Sequence, residues 1–193
     1  MKTSKLLTIT LTILTAVVLL TSAIAVPILC RPFYYAHIGP LELCEQTGLT
    51  RKEIKTAFDE MMDFCVKNEK FSTGALRWSE SGNAHFADVR SLFLLDLRTL
   101  AGSVFLLTFI LIVSQSAGRR PDKLLGRGPT FWAGTGLACV FAIIGAFAVT
   151  DFDRTFTIFH IIFFPGKATG CLTLRRIKSS LFYPRSSSET VPS

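Results

Sequence analysis

Charge is scarce in this chain. Aspartate, glutamate, lysine and arginine make up 18% of its 193 residues, against 49% apolar types, which is greasier than the roughly one-quarter charged composition of soluble domains. Histidine is scarcer still, confined to His37, His85 and His160. No Gly-rich phosphate loop is present, because "PGKATG" has neither the spacing nor a preceding strand. The G-x-S-x-G elbow of serve-from-a-turn serine hydrolases is missing. No two histidines stand at metal-ligand spacing and the carboxylates are scattered, so a zinc site is open but unsupported. Of the five cysteines, Cys44 and Cys65 fall in one segment and could pair, Cys30 and Cys139 sit at or in apolar runs, and Cys171 lies near the end. Neither a disulfide framework nor a cysteine nucleophile follows.

What the chain does have is three long apolar runs. Leu6 to Cys30 carries no charge, and it exceeds the roughly 7–15 apolar residues of a secretory signal. Ala23-Ile24-Ala25 offers a cleavage site and "VPILC" a lipobox spoiled by bulky Leu29, but the run is read as a retained span. Thr99 to Ala117 and Phe131 to Val149 each approach the ~20 residues that cross a bilayer core. Gly134, Gly136 and Gly145 would let a neighbouring helix come close to the third span. The fold class expected is mainly α, a multi-span helical membrane protein with a small extracytoplasmic domain.

Basic residues orient it. Lys2 and Lys5 precede the first span, and Arg119, Arg120, Lys123 and Arg127 crowd "GRRPDKLLGRGPT" with only Asp122 opposing them. Both sites are therefore cytoplasmic. The division is then 1–30 as a transmembrane helix, 31–90 as an extracytoplasmic domain, 91–117 as a second transmembrane helix with an outer extension, and 118–130 as a cytoplasmic loop. A third span, 131–149, is followed by an interfacial Phe-rich helix, 150–166, and a basic tail, 167–193. Acidic and basic residues nearly cancel over 31–90, so the net charge of +7 reflects topology and tail rather than a nucleic-acid surface. The location implied is the cell membrane, multi-pass, with the lipid bilayer as partner.

All three histidines fall on the outer side, near the bilayer surface. "LTRKEIKTAFDEMMDFCV" offers Thr50 and Glu53 as a capping box, then Ile54, Phe58, Met61, Met62 and Cys65 at helical spacing, an amphipathic helix for the outer domain. Phe71, Leu76 and Trp78 suit short strands or an interfacial loop. In "NAHFADVRSLFLLDLR", a helix beginning near Asn83 puts His85, Asp88, Leu92 and Asp96 on one face. Asp88 can then orient the His85 ring. Asp96 falls at or within the outer leaflet, where a carboxylate is costly unless it has a partner or a function. "DFDRTFTIFHIIFFPGK" repeats Phe152, Phe156, Phe159, Phe163 and Phe164 at helical spacing around His160, an interfacial helix. Asp153 shares the His160 face but lies two turns away, about 10 Å. His37 reads as a solvated residue. Apolar surroundings favour the neutral imidazole that a general base requires, which makes His85 and His160 the catalytic candidates.

"HFADVRSLF" and "DFDRTFTIFHIIFFPGK", in this order and placement around three spans, resemble the two signature segments of the bacterial lipoprotein intramolecular transacylases. The likeness covers roughly Lys5 to Lys167. It implies transfer of the sn-2 acyl chain of a diacylglyceryl-modified N-terminal cysteine to that cysteine's own amine, giving a lyso-lipoprotein. His85 and His160 match the family's functional histidines, with Asp88 orienting His85. Phe156, Phe159, Phe163 and Phe164 would line the acyl chain, and Asp96 joins them in the substrate-binding set. Diacylglyceryl lipoproteins are the implied substrates, with no cofactor. The alternatives are a membrane-anchored binding or sensor protein and an acyltransferase or hydrolase acting on another lipid ester.

The tail departs from this resemblance. Members continue with a Trp, an Asp-Pro, an acidic-apolar strand and a fourth span, whereas "ATGCLTLRRIKSSLFYPRSSSETVPS" has none of them. Ordinary codons for these residues, read from the third base of codon 167, admit "GNWLFDPAEDQIILVLPEEFF", which has that pattern. We expect a single-nucleotide deletion near codon 167 in the gene or its recorded sequence. Resequencing that finds no such alternative frame would refute it.

Overall fold

The computed structural model describes residues 2–67 and 69–164; the tail, including the expected frame shift, lies outside them. Its elements run β1 (Lys2–Ser4), α1 (Lys5–Leu29), α2 (Arg31–His37), α3 (Leu43–Thr47), α4 (Arg51–Val66), α5 (Glu80–Ser116), β2 (Arg119–Pro121), α6 (Pro129–Thr150) and α7 (Phe152–Phe163). Two compact units result, Met1–Cys139 and Val140–Ser193. Three helices, α1, α5 and α6, are long and apolar enough to cross a membrane.

In the first unit, α1 starts where the Ser4 hydroxyl accepts the Leu7 amide at 3.3 Å, a standard N-cap that satisfies one orphan donor. Pro27 removes the amide that would bond the carbonyl four residues back, and the helix closes at Leu29, with the Cys30 amide returning to the Val26 carbonyl at 2.8 Å. Hydroxyls within the apolar helices turn onto their own backbone: Thr12 to the Thr8 carbonyl at 2.9 Å, Thr21 to Val17 at 2.8 Å, and Thr108 to Val104 at 2.8 Å. Polar groups without water are thereby satisfied inside each helix. The broadest contact in this unit joins α1 to α5. The buried residues on α1 are Thr8, Leu11, Thr21, Ala25 and Ile28, and those on α5 are Ser103 and Ser114. Small side chains there let the backbones approach.

The segment between α1 and α5 packs on α4. Thr50 and Glu53 form the expected capping box, the Thr50 amide donating to the Glu53 carboxylate at 2.8 Å and the Glu53 amide to the Thr50 hydroxyl at 3.3 Å. Met62, Phe64 and Cys65 form a buried core, joined by Phe58, Met61, Val66 and Phe71, and by Phe86, Val89 and Phe93 from α5. No strand forms over Phe71 to Trp78 among the described residues. The reason is local: the Glu60 carboxylate accepts the Ser72 hydroxyl at 2.5 Å and the Gly74 amide at 2.7 Å, and Gly74 supplies the positive φ of 54° that the turn needs. Phe71 packs edge-on to Phe64 and Trp78, at 5.2 and 5.5 Å. The expected loop alternative therefore holds.

α2 fastens the end of α1 to α4. Arg31 bonds Asp59 at 2.8 Å and also pairs with Asp63. The Tyr35 hydroxyl donates to Asp59 at 2.5 Å, and Tyr34 stacks on Phe58 at 3.8 Å. At the opposite end of α1 a parallel two-stranded ladder pairs Lys2 with Arg119 and Ser4 with Pro121. The close helix approach expected at Gly134, Gly136 and Gly145 does not occur among the described residues, since a side chain at any of the three would meet nothing within 4 Å.

In the second unit, α7 begins at Asp151, whose side chain accepts the Arg154 amide at 2.9 Å. Its apolar side chains are largely exposed, Ile162 65% and Phe152 65% among them.

The ion cluster on α4 has a definite pH signature. Lys67, 2.9 Å away, holds the Asp63 carboxyl below its ordinary value of 3.8, with Arg31 assisting and burial opposing. A lowered folded value means the stabilisation is complete above the ordinary value and lost as pH falls through the folded one. Hydrogen exchange, corrected for intrinsic rates, should show protection of α2 dropping selectively below about pH 4. Asp63→Asn should lose it at neutral pH, and unchanged protection in that variant would remove the cluster from the account.

Candidate functional site

α5 is one unbroken helix of 37 residues, about 55 Å long at 1.5 Å per residue. That exceeds a bilayer's ~30 Å apolar core. Its first turns therefore extend beyond the span, beginning where the Ser79 hydroxyl caps the Gly82 amide at 3.1 Å. Phe86, Val89 and Phe93 face the α4 core. Side chains one residue earlier are turned about 100° from them, which puts His85, Asp88, Leu92 and Asp96 on the neighbouring face. His85 is exposed and Asp88 half-buried, one turn apart. The His85 ring stands 6.2 Å from that of Phe86, nearly edge-on. Asp96 is half-buried, and its Oδ2 is a buried oxygen with no hydrogen-bond partner among the described residues. A lone buried carboxylate oxygen is expensive to keep.

His160 belongs to the second unit, in the last full turn of α7. Phe156 lies 4.2 Å from it on one side and Phe164 5.3 Å on the other, ring centre to ring centre, with Phe159 at 6.0 Å. These are the residues four before, four after and one before, as the helical repeat dictates. Phe159 in turn meets Phe163 at 4.6 Å. His160 Nδ1 is buried within this cluster. The sequence-predicted residues are thus gathered into two groups: His85, Asp88 and Asp96 along α5, and His160 with Phe156, Phe159, Phe163 and Phe164 on and just after α7.

The other candidates have plainer explanations. His37 is exposed at the end of α2, its Nδ1 2.6 Å from the Phe33 carbonyl and its ring 4.8 Å from that of Phe33. Cys30, Cys44, Cys65 and Cys139 are all free thiols. Burial pushes the Cys65 thiol up to about 11, so it is protonated near neutrality and a poor nucleophile. Among the described residues no group of three His, Cys, Asp or Glu is placed to hold a metal. Sequence reasoning missed the Arg31, Tyr35, Asp59 and Asp63 network, which has no periodic signal; the one hint was a basic residue directly after a span.

Three helices long and apolar enough to span a bilayer, one of them extended beyond its span, and an amphipathic helix rich in aromatics define a helical membrane protein. The family model "Lipoprotein intramolecular transacylase Lit" matches residues 9–169, and the chain belongs to that family of acyltransferases. The fold is similar to the solved lipoprotein intramolecular transacylase Lit from Bacillus cereus, with TM-score 0.67 and 16% identity over 92% of this chain and 97% of that one. Two variants of the same enzyme, with one histidine replaced by arginine or by alanine, each align with TM-score 0.64 and 16% identity. They cover 91% and 92% of this chain, and 92% and 95% of theirs. No curated protein matches the chain in sequence.

Burial separates the thiols experimentally. In the folded protein a maleimide should label half-buried Cys44 and leave Cys65 untouched until the chain unfolds. Rapid labelling of Cys65 without unfolding would contradict its place in the core.

Proposed function

We propose that this chain moves the sn-2 acyl chain of a diacylglyceryl-modified N-terminal cysteine onto the α-amine of the same cysteine, on the extracytoplasmic face of the membrane. The reaction needs little equipment. The amine nitrogen forms a bond to the ester carbonyl carbon, the bond from that carbon to the sn-2 oxygen breaks, and one proton passes from nitrogen to the departing glycerol oxygen. Nucleophile and ester belong to one lipoprotein, so holding them in attack geometry replaces a bimolecular encounter. An α-amine has an ordinary pKa of about 7.7–8.0 and must be deprotonated before it can attack. One imidazole takes the proton and another group returns a proton to the oxygen, a pair of tasks suited to His85 and His160.

The observation that carries this reading is the His160 imidazole held between Phe156 and Phe164 on an amphipathic helix. An amphipathic helix lies at the boundary between headgroups and acyl chains, the depth of a glycerol ester. Phe159 and Phe163 extend the aromatic surface along which the transferred chain would lie. Asp88, one turn from His85, acts as the positioning residue for that ring, and Asp96 presents an oxygen available to a substrate N–H or O–H. Replacement of a histidine in two of the solved relatives supports giving histidine the central part. The basic loop opposite sets the orientation.

Mass spectrometry of lipoprotein N-terminal peptides, from cells with and without the protein, tests the assignment. A lyso form bearing an N-acyl group should appear only with the protein. His85→Asn and His160→Asn should each lower its formation by roughly 10²–10⁴-fold, the usual worth of a general acid or base, with membrane insertion intact. Full activity in either variant would remove that histidine, and altered free phospholipids with unchanged lipoprotein would move the chemistry to another ester.

A further inference from the structure

The opposite end of the first unit carries a second site that the acyl transfer does not use. Between the start of α1 and the end of α5 lies a groove of about 290 Å³, lined by Ser4, Leu6, Leu7 and Thr10 on one wall and by Phe109, Ile110, Val113, Ser114, Ala117 and Arg119 on the other. Its composition is graded. Apolar side chains line the part that runs along the helices, with Leu6, Phe109 and Val113 well exposed, while Ser4 and Arg119 stand at the mouth. Enclosed small-molecule sites span roughly 300–1,000 Å³. The groove suits one part of a lipid, its remainder lying in the bilayer.

The mouth is held open by backbone rather than by chance side-chain positions. β1 pairs with β2 through Lys2–Arg119, Thr3–Arg120 and Ser4–Pro121. The buried Thr8 hydroxyl lies 2.8 Å from the Asp122 carbonyl and 3.0 Å from that of Ser4. The positive end of the α1 dipole also faces this rim. Arg119, Arg120 and Lys5 make no ion pair among the described residues. The nearby acid, Asp122, turns its Oδ1 to the Lys123 amide at 2.9 Å, and Arg127 lies over the Phe131 ring at 5.0 Å. An apolar cleft ending in uncompensated positive charge is complementary to an acyl chain ending in an anion.

We infer that this groove binds an anionic phospholipid, its phosphate on Arg119 at the mouth and one acyl chain against Leu6, Leu7, Phe109, Ile110 and Val113. Basic pockets between transmembrane helices select anionic headgroups in this way. The lipid joins α1 to the end of α5 remote from His85. Its binding stands apart from the acyl-transfer reading and from the direction in which the chain crosses the membrane.

Native mass spectrometry of the full-length protein tests it, with phosphatidylglycerol or phosphatidylcholine of identical chains added to the detergent-solubilised sample. Phosphatidylglycerol should be retained at least about fivefold better, the discrimination of one basic contact near a membrane surface. Arg119→Gln should bring that ratio close to one. Val113→Trp, which fills the groove without altering charge, should reduce retention of both lipids. Equal retention of the two by the unaltered protein, or undiminished phosphatidylglycerol in both variants, would overturn the proposal. Displacement of the lipid by sn-glycerol 3-phosphate would overturn it too, since that would mark a site for a soluble phosphate.

Discussion

The setting of α5 about its own axis governs what this protein can present to a lipid. Phe86, Val89 and Phe93 meet the core formed by Met62, Phe64 and Cys65 of α4, and that contact leaves His85 and Asp88 on the adjoining face. A helix advances about 100° per residue, so a slip of one position would bury the imidazole against Cys65 and turn a phenylalanine outward. Fully burying a large apolar side chain is worth roughly 1.5–3 kcal/mol, and these partly buried ones contribute some fraction of that each. The penalty for misrotation is therefore several interactions lost together. Packing, and not the weak amphipathic character of the helix, fixes where the face bearing His85 and Asp88 points.

Contact between α1 and α5 has less to say about register, because the buried residues of the two helices are mostly small or hydroxylic, Thr8, Thr21 and Ala25 on α1 and Ser103 and Ser114 on α5, beside Leu11 and Ile28. The ends supply what the middle lacks. Beyond the C-terminal end of α1, Arg31 ties the chain to Asp59 and Asp63 of α4, and α4 grips α5. Near the other end, the β1–β2 ladder and the Thr8 hydroxyl hold the start of α1 to the segment following α5. Sliding one helix along the other would break both attachments, and such directional polar contacts tolerate displacement far less than apolar ones do.

Local signals were readable from residues alone. The three apolar runs became α1, α5 and α6, and Thr50 with Glu53 capped α4 as their spacing demands. A helix running into the second span was expected to begin near Asn83, and α5 begins a little earlier, at Glu80. Long-range features were not. Strands of three residues, Lys2–Ser4 and Arg119–Pro121, have no alternation to detect, and their pairing joins distant parts of the chain. Arg31 carries nothing to say that Asp59 and Asp63 would be its partners. Around Phe71 the aromatics read equally well as strand or loop, and a carboxylate from another element, Glu60, decided the matter. As for the site, His160 among phenylalanines was visible as an oddity, but pairing it with His85 came through resemblance to a family, since spacing says nothing about two rings so far apart in the chain.

That oddity has a physical rationale in the alternatives. At the boundary beneath the headgroups a lysine would extend its flexible stem toward water, and a carboxylate would face the desolvation penalty of a full negative charge. An imidazole can carry or release a proton near neutrality while remaining uncharged for part of the cycle. Its flat ring also packs as an aromatic. Phe156 and Phe164, one turn to either side of His160, restrict its rotation without occupying its nitrogens with a permanent charge. Aromatic packing thus contributes to the orientation of a ring that, in the proposed reaction, would exchange its proton at the depth of an ester.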